Sequence, residues 1–425
     1  MREKAVITGI GAVCALGRTP EDIGDGLSRG RCGAVRIDIG EFPCKAAAIT
    51  ACPTRQDLNI SQRDARIMNT HSYLLMESAV KAYKNARIEE FPEITPDSIG
   101  FFAGLPMVDY EMADLLPAVV KSSSRDAGDG AFDPDVFYKQ GYREIYPLWP
   151  LSMLNNIALC QSSVKLKIRG ENTVFSPHAD AGLAAIAEGV AAVTGGRAKI
   201  VLAGGVSEKI TPSSLARGHI AGVLKSREDG VLSCRPFSSS RTGTIPGDGA
   251  GFLAIETLSS ARRRGVTPIA AITGWGRAFG TDNALLCGPT AAAIRNSMNA
   301  ALSMAGLKPA DIDLLIAHGD GTAAGDGNEI EAVNELFQSC PISVISTKGA
   351  LGNLYAAAAP LDAAVAAYAI KTGMIPPSLY SIPVDEAVRF ELVTRLPLQK
   401  QVAKVMINCH SYEGQASSLI VERVE

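Results

Sequence analysis

Apolar positions along the chain fall into two patterns. In the first, an unbroken apolar run leads into glycines: residues 5–11 (AVITGIG), 200–205, 269–276 and 314–319. A run without alternation predicts a strand covered on both faces, as in a parallel or mixed sheet, here with a Gly-rich turn after it. In the second, two long Ala-rich stretches predict helices over 181–194 and 354–371. Glu188 and Thr194 are the only clearly polar members of the first. The second has Asp362 and Lys371, with amphipathic Tyr355 and Tyr368. A helix apolar all round has no solvent face. Charge in both, and Pro360 expected to interrupt the second, argue against a membrane and place the two helices inside a large protein.

The predicted architecture is a central layer of two helices between two sheets, with more helices outside. Similar lead-ins precede both helices, 172–182 and 345–353, so a strand–turn–buried-helix unit is used twice. The seam of this duplication is expected near 259–265, dividing the chain into 1–258 and 259–425. Residues 104–150 fit neither pattern. They hold SSSRDAGDG (122–130) and an aromatic-rich stretch ending at Trp149-Pro150, and they are expected to cap the core or meet a partner.

Composition narrows the function classes. With 41 basic against 44 acidic side chains in 425 residues, no basic surplus points to nucleic acid. The nine cysteines are scattered and form no C-x-x-C pair, which indicates reduced thiols, a cytoplasmic protein and no zinc framework. The first 17 residues have a basic start and an apolar run, but Glu3 and three glycines favour a strand over a signal peptide. No uncharged apolar stretch reaches the ~18 residues of a membrane span. No full G-x-G-x-x-G is present, so no dinucleotide is expected.

The tip of a buried helix offers unpaired N–H groups and the positive end of a dipole. A thiol there would be a lowered-pKa nucleophile beside an oxyanion site. If the halves are related by a pseudo-twofold, the second lead-in brings a polar side chain to the same cavity. The strand end His318-Gly-Asp-Gly-Thr322 adds a histidine.

Several ordered blocks carry a resemblance. Residues 6–17 (VITGIGAVCALG), 203–208 (AGGVSE) and 235–251 (RPFSSSRTGTIPGDGAG) resemble the β-ketoacyl synthases, condensing enzymes of the thiolase-like fold, over nearly the whole chain. Ala317-His-Gly-Asp-Gly-Thr322 with Asp326 and Glu329 matches that family's A-H-G-T-G-T-x-x-x-D-x-x-E motif except at Asp320. Lys348-Gly-Ala-Leu-Gly-Asn353 matches K-S-x-x-G-H with Asn in place of His. The resemblance implies a five-layer αβαβα fold of two pseudo-symmetric halves, with no cofactor and no metal.

The departures decide the expected function. The family's nucleophile block, S-T-A-C-x-S-G-x-x-A-I, aligns with residues 176–186 and puts Ala179 where the cysteine belongs. A one-residue slip offers His178 or Asp180, neither a thiol, and Cys160 lies in a separate predicted helix. The gate near G-F-G-G-T-N reads Ser411-Tyr-Glu-Gly-Gln-Ala416. Ala179 cannot form a thioester, and Asn353 donates a hydrogen bond but exchanges no proton near neutrality.

The resemblance therefore implies a vestigial site of His318, Lys348 and Asn353, in a partner subunit like the chain length factors of type II polyketide synthases. Such a subunit pairs with a cysteine-containing ketosynthase, meets an acyl carrier protein bearing a phosphopantetheine-linked chain, and shapes the chain's tunnel. The alternatives are a nucleophile-free decarboxylase of malonyl-carrier protein and an atypical 3-oxoacyl-carrier-protein synthase. Lys348 is expected to be structural, pairing with Glu329 or the neighbouring loop. His318 is read evenly as a relic that hydrogen-bonds the core or an acid/base group. A metal at His318, Asp320, Asp326 and Glu329 is disfavoured by their irregular spacing. His71, His219 and His410 carry no motif and are expected to be ordinary surface or core residues.

Overall fold

The computed structural model describes residues 3–39, 42, 44–109, 112–123, 130–176, 178–224, 234–281 and 288–424. Cys287, Pro177, the initial Met1-Arg2 and most of the serine–glycine stretch within 122–130 lie outside the described residues.

The main sheet has eleven strands. The N-terminal ones are β1 (Ala5–Cys14), β2 (Ile99–Gly104), β3 (Asn172–Phe175), β4 (Ile200–Ser207) and β5 (Gly249–Thr257). The remainder are β6 (Ala270–Phe279), β7 (Leu314–Ile316), β8 (Ser343–Ile345), β9 (Glu391–Leu392), β10 (Lys404–His410) and β11 (Gln415–Glu422). The helices that matter here are α1 (Pro20–Ser28), α2 (Thr70–Asn85), α3 (Met112–Lys121), α4 (Asn156–Leu166), α5 (Ala181–Thr194), α6 (Ala291–Ala305), α7 (Ala323–Leu336) and α8 (Ala358–Thr372).

Strand order across the sheet is β9-β8-β7-β10-β11-β6-β1-β5-β4-β2-β3. Outward from the β1–β6 junction, both halves run first, last, next-to-last, second and third strand. The outer pairings are parallel and the inner ones antiparallel in each. One topology is thus used twice, as the paired lead-ins predict. The halves are stitched by three register pairs, Ala5↔Ile272, Val6↔Ala271 and Ile7↔Ala270.

Helices α5 and α8 pack between the two half-sheets, with α2 and α4 outside one and α6 and α7 outside the other. This is the five-layer α/β arrangement. Every residue of α8 except Lys371 and Thr372 is buried, as a helix apolar all round requires. Leu183, Ile186, Leu361 and Val365 fill the space between the sheets, each contributing about 1.5–3 kcal/mol by leaving water.

Three expectations are corrected. Gly204 and Gly205 of the run at 200–205 lie inside β4, which continues to Ser207, and the glycines ending the runs at 5–11 and 269–276 are not turns either, because β1 continues to Cys14 and β6 to Phe279. Those of β1 and β6 admit a helix backbone instead. A Cβ on Gly9 or Gly11 would lie 2.3 or 1.9 Å from a carbonyl oxygen of α2, and one on Gly274 or Gly276 would lie 2.3 or 2.0 Å from one of α6. Pro360 does not interrupt the second buried helix, since it sits in the first turn of α8, where an N–H has no helical partner anyway. Residues 355–357 form a separate 3-10 turn, and Tyr355 takes a left-handed φ of 44°.

Candidate active site

Ala179 sits just before α5, buried, where the chain turns into the central layer. Its N–H donates to Ser411 Oγ at 3.3 Å, so one donor at the helix tip is already satisfied. Its carbonyl accepts from Cys409 Sγ at 3.4 Å. That thiol lies inside the core beside the site, and burial pushes it up to about 12, where it stays protonated at neutral pH. Asp180 turns away and accepts from Arg277 at 3.0 Å and Ser417 at 3.1 Å. His178 pairs with Glu413 at 3.3 Å. Cys160 is exposed on α4.

His318 lies just past β7 and is buried. Its N–H and that of Gly319 donate to the two oxygens of Glu329, at 3.0 and 2.8 Å. Its carbonyl accepts Lys348 Nζ at 2.6 Å. Lys348, buried in the turn after β8, thus pairs with the neighbouring loop and not with Glu329. His318 Nδ1 accepts the backbone N–H of His410 at 3.2 Å, which leaves the proton of the neutral ring on Nε2, 3.8 Å from Asp320 Oδ2. Burial, helped by the Lys348 cation, holds the imidazole well below its usual pKa, so it is neutral.

Asn353 is fully buried. Its Nδ2 donates to the hydroxyl of Tyr412 at 2.7 Å, and its Oδ1 accepts the N–H of Tyr355 at 3.0 Å. Ala179, Tyr355, Ser411 and Tyr412 line a cavity of about 180 Å³ whose rim carries Lys209 and Arg217. His318, Lys348 and Asn353 do not line it. Tyr412, in the segment that the resemblance assigns to the gate, lines it and bonds Asn353.

The acidic residues near His318 hold backbone. Asp326 accepts from the N–H groups of Phe237 at 2.6 Å and Gly321 at 3.0 Å. Asp320 accepts from the N–H and hydroxyl of Thr322 at 2.9 and 2.8 Å. Among the described residues, no three His, Cys, Asp or Glu side chains are grouped to hold a metal ion, and no helix is long and apolar enough to cross a membrane.

His410, read from sequence as ordinary, belongs to this site. Its ring stacks on His318 with centroids 4.9 Å apart and planes at 35°. The signal for it is topological: β10 runs parallel beside β7, pairing Ile407 with Ile316, so residues just past both strand ends meet. Of the other two histidines, His71 is buried against Glu208 at 2.9 Å, and His219 lies on the helix Pro212–Ile220, whose Ser214, Arg217 and Gly218 line the Ala179 cavity.

The β-ketoacyl synthase N-terminal domain matches residues 2–261 and the C-terminal domain of the same enzymes matches 269–381. The chain belongs to the β-ketoacyl synthase family. It is 26% identical over 428 residues to the 3-oxoacyl-[acyl-carrier-protein] synthase 2 of Staphylococcus aureus strain COL, covering all of this chain and 99% of that one. The ishigamide ketosynthase/chain length factor structure superposes with a TM-score of 0.84 at 25% identity, over the full length of both chains. A β-ketoacyl synthase from Burkholderia phymatum STM815 superposes at 0.86 and 24% identity, again over both full lengths.

Proposed function

We propose that this β-ketoacyl synthase homologue is a non-condensing subunit of the chain-length-factor kind. On this reading it pairs with a cysteine-containing ketosynthase and shapes the tunnel in which a polyketide, polyene or fatty acyl chain grows on an acyl carrier protein. The observation that carries the reading is the tip of α5. Ala179 has no atom able to attack a thioester, and among the described residues the thiol against it, that of Cys409, is sealed in the core and protonated. The likeness to a ketosynthase/chain length factor structure supports it.

So does the surface of the segment that connects β2 to β3. Met107, Met112, Leu116, Val120, Tyr138 and Val164 in it are all about half exposed or more, and the segment leads into β3, the edge strand of the sheet among the described residues. On this proposal the surface is the subunit interface, and the seam at 258/259 separates the two halves behind it.

The test is co-expression with a cysteine-containing ketosynthase and a carrier protein. The expected result is a stable complex in which the partner alone carries an acyl adduct by intact mass. An adduct on this chain, or condensation by this chain purified alone, overturns the reading.

A second reading, decarboxylation of malonyl-carrier protein without a nucleophile, draws on the neutral His318 ring with its proton on Nε2, a donor suited to an enolate oxygen. Carbon dioxide release that survives His318→Ala unchanged removes it.

A further inference from the structure

A groove of about 1010 Å³ opens at the opposite end of the buried helices from Ala179, where α2 and α8 finish and α1 begins. Its floor is apolar, built from Ile10 of β1, Pro268 and Ile269 leading into β6, and Ala367 and Ile370 of α8. Its rim is cationic: Arg18, Lys81, Lys84, Lys371 and Arg423 all line it, against Glu21 alone among acids.

The rim charges are incompletely neutralised. Arg18 and Lys81 share the one carboxylate of Glu77, Lys81 at 2.7 Å. Lys371 pairs with Glu21 at 2.9 Å. Arg423 reaches the carbonyls of Ile370 and Val402 at 2.9 and 2.8 Å and meets no carboxylate among the described residues. Lys84 has no partner among the described residues. Asp25, further along α1, accepts from the hydroxyl of Tyr368 at 2.8 Å. Among the described residues, the lining thus holds five cations and one acid, Glu21, with Glu77 pairing two of the cations from beside it.

Lysines at the ends of α2 and α8 complement helix dipoles in any protein. That accounts for Lys84 and Lys371, but it accounts neither for the arginines contributed by separate segments nor for the apolar concavity they surround. A flat protein partner needs no such depth. A volume at the upper end of small-ligand pockets, apolar below and cationic above, matches a molecule with an apolar body and an anionic head.

We infer that this groove is a binding site for an amphiphilic anion, an alkyl or acyl chain ending in a phosphate or carboxylate. It is separate from the Ala179 cavity and does not depend on the function proposed for that cavity.

Calorimetric titration of the full chain with octyl phosphate, kept below its micelle-forming concentration, tests this. The expected result is saturable binding at one site per chain, with much weaker binding of inorganic phosphate and of octyltrimethylammonium. Lys84→Glu is expected to weaken octyl phosphate about tenfold through loss of a charged contact. Thr267→Trp, which fills the groove without changing its charge, is expected to weaken it as well. Lys84 and Thr267 are both exposed, so circular dichroism should show both variants folded.

Three outcomes overturn the inference. In the first, either variant leaves the affinity unchanged. In the second, phosphate alone or the cationic amphiphile binds equally well. In the third, a variant changes the oligomeric state by light scattering, which would make the groove a protein interface.

Discussion

The side-chain amide of Asn353 donates to the phenol oxygen of Tyr412 at 2.7 Å, and this bond ties the buried turn after β8 to an aromatic ring that lines the Ala179 cavity. Asn353 is buried and Tyr412 half-buried; the phenol also meets Tyr355, so the amide depends on the phenol more than the phenol on the amide.

Tyr412→Phe keeps the ring and removes the bond. The Asn353 amide is then left without its acceptor, at a cost of about 1–3 kcal/mol. Urea denaturation of the variant should show that loss at an unchanged m-value. A variant as stable as the wild type would mean that the bond is absent in solution.

Ala179→Cys puts a thiol at the tip of α5, where the helix dipole lowers its pKa. The variant should react with iodoacetamide in the native state at position 179 and, given acyl-carrier protein, gain an acyl adduct by intact mass. Native wild type should show neither at Cys409, whose buried thiol is pushed up to about 12. Rapid labelling of Cys409 in the folded wild type would return a nucleophile to the site and sink the non-condensing reading.

Glu256 and Arg264 form a buried pair joining β5 to the helix that follows it. Arg264 Nη2 donates at 2.6 Å and Nε at 3.2 Å, while Thr8 of β1 supplies a further bond to the carboxylate at 2.8 Å. Arg264→Ala leaves that carboxylate charged and dry, which costs about 3–5 kcal/mol. Thermal denaturation at neutral pH measures it, and the loss should shrink in Arg264→Ala/Glu256→Gln.

Asp362 lies inside α8 with one oxygen bonded to Thr347 at 2.8 Å and the other unpartnered. Burial raises its pKa from 3.8 to about 6. Between those values the folded protein holds a proton that the unfolded chain has lost, so stability falls as pH rises from about 4 to about 6 and then levels off. Asp362→Asn removes that slope. Relative to wild type, the variant should gain stability across this window, by an amount on the order of 2–3 kcal/mol. Denaturation midpoints at pH 4, 5, 6 and 7 would show it, and parallel curves for the two proteins would contradict it.

Much of this fold is legible because its core helices are extreme. A stretch such as 181–194, with two clearly polar residues, has one place to go in a protein without a membrane span, and α5 occupies those residues. Its counterpart is legible as a helix but not in its start. The bend at Tyr355 coincides with an Asx turn, its N–H donating to Asn353 Oδ1 two residues back, which the apolar pattern does not carry. The glycines of β1 and β6 show the same limit. Sequence shows that a side chain is missing, but only packing reveals that a helix backbone fills the gap.

At the site, His318, Lys348 and Asn353 are legible as motif residues. His410 is not, because its role follows from two strands separated by most of the C-terminal half lying side by side. The Tyr412 contact is hidden for the same reason, since its partner Asn353 comes from the turn after β8.

Lys348 carries a further consequence. Its cation is spent on the His318 carbonyl and shares the core with a ring held neutral, so it braces a loop whether or not any chemistry occurs there. Selection for shape alone is then enough to retain it, along with the histidine whose main chain it grips. The presence of these two residues in this chain is accounted for by the scaffold alone, and a test for turnover has to look to the helix tip instead.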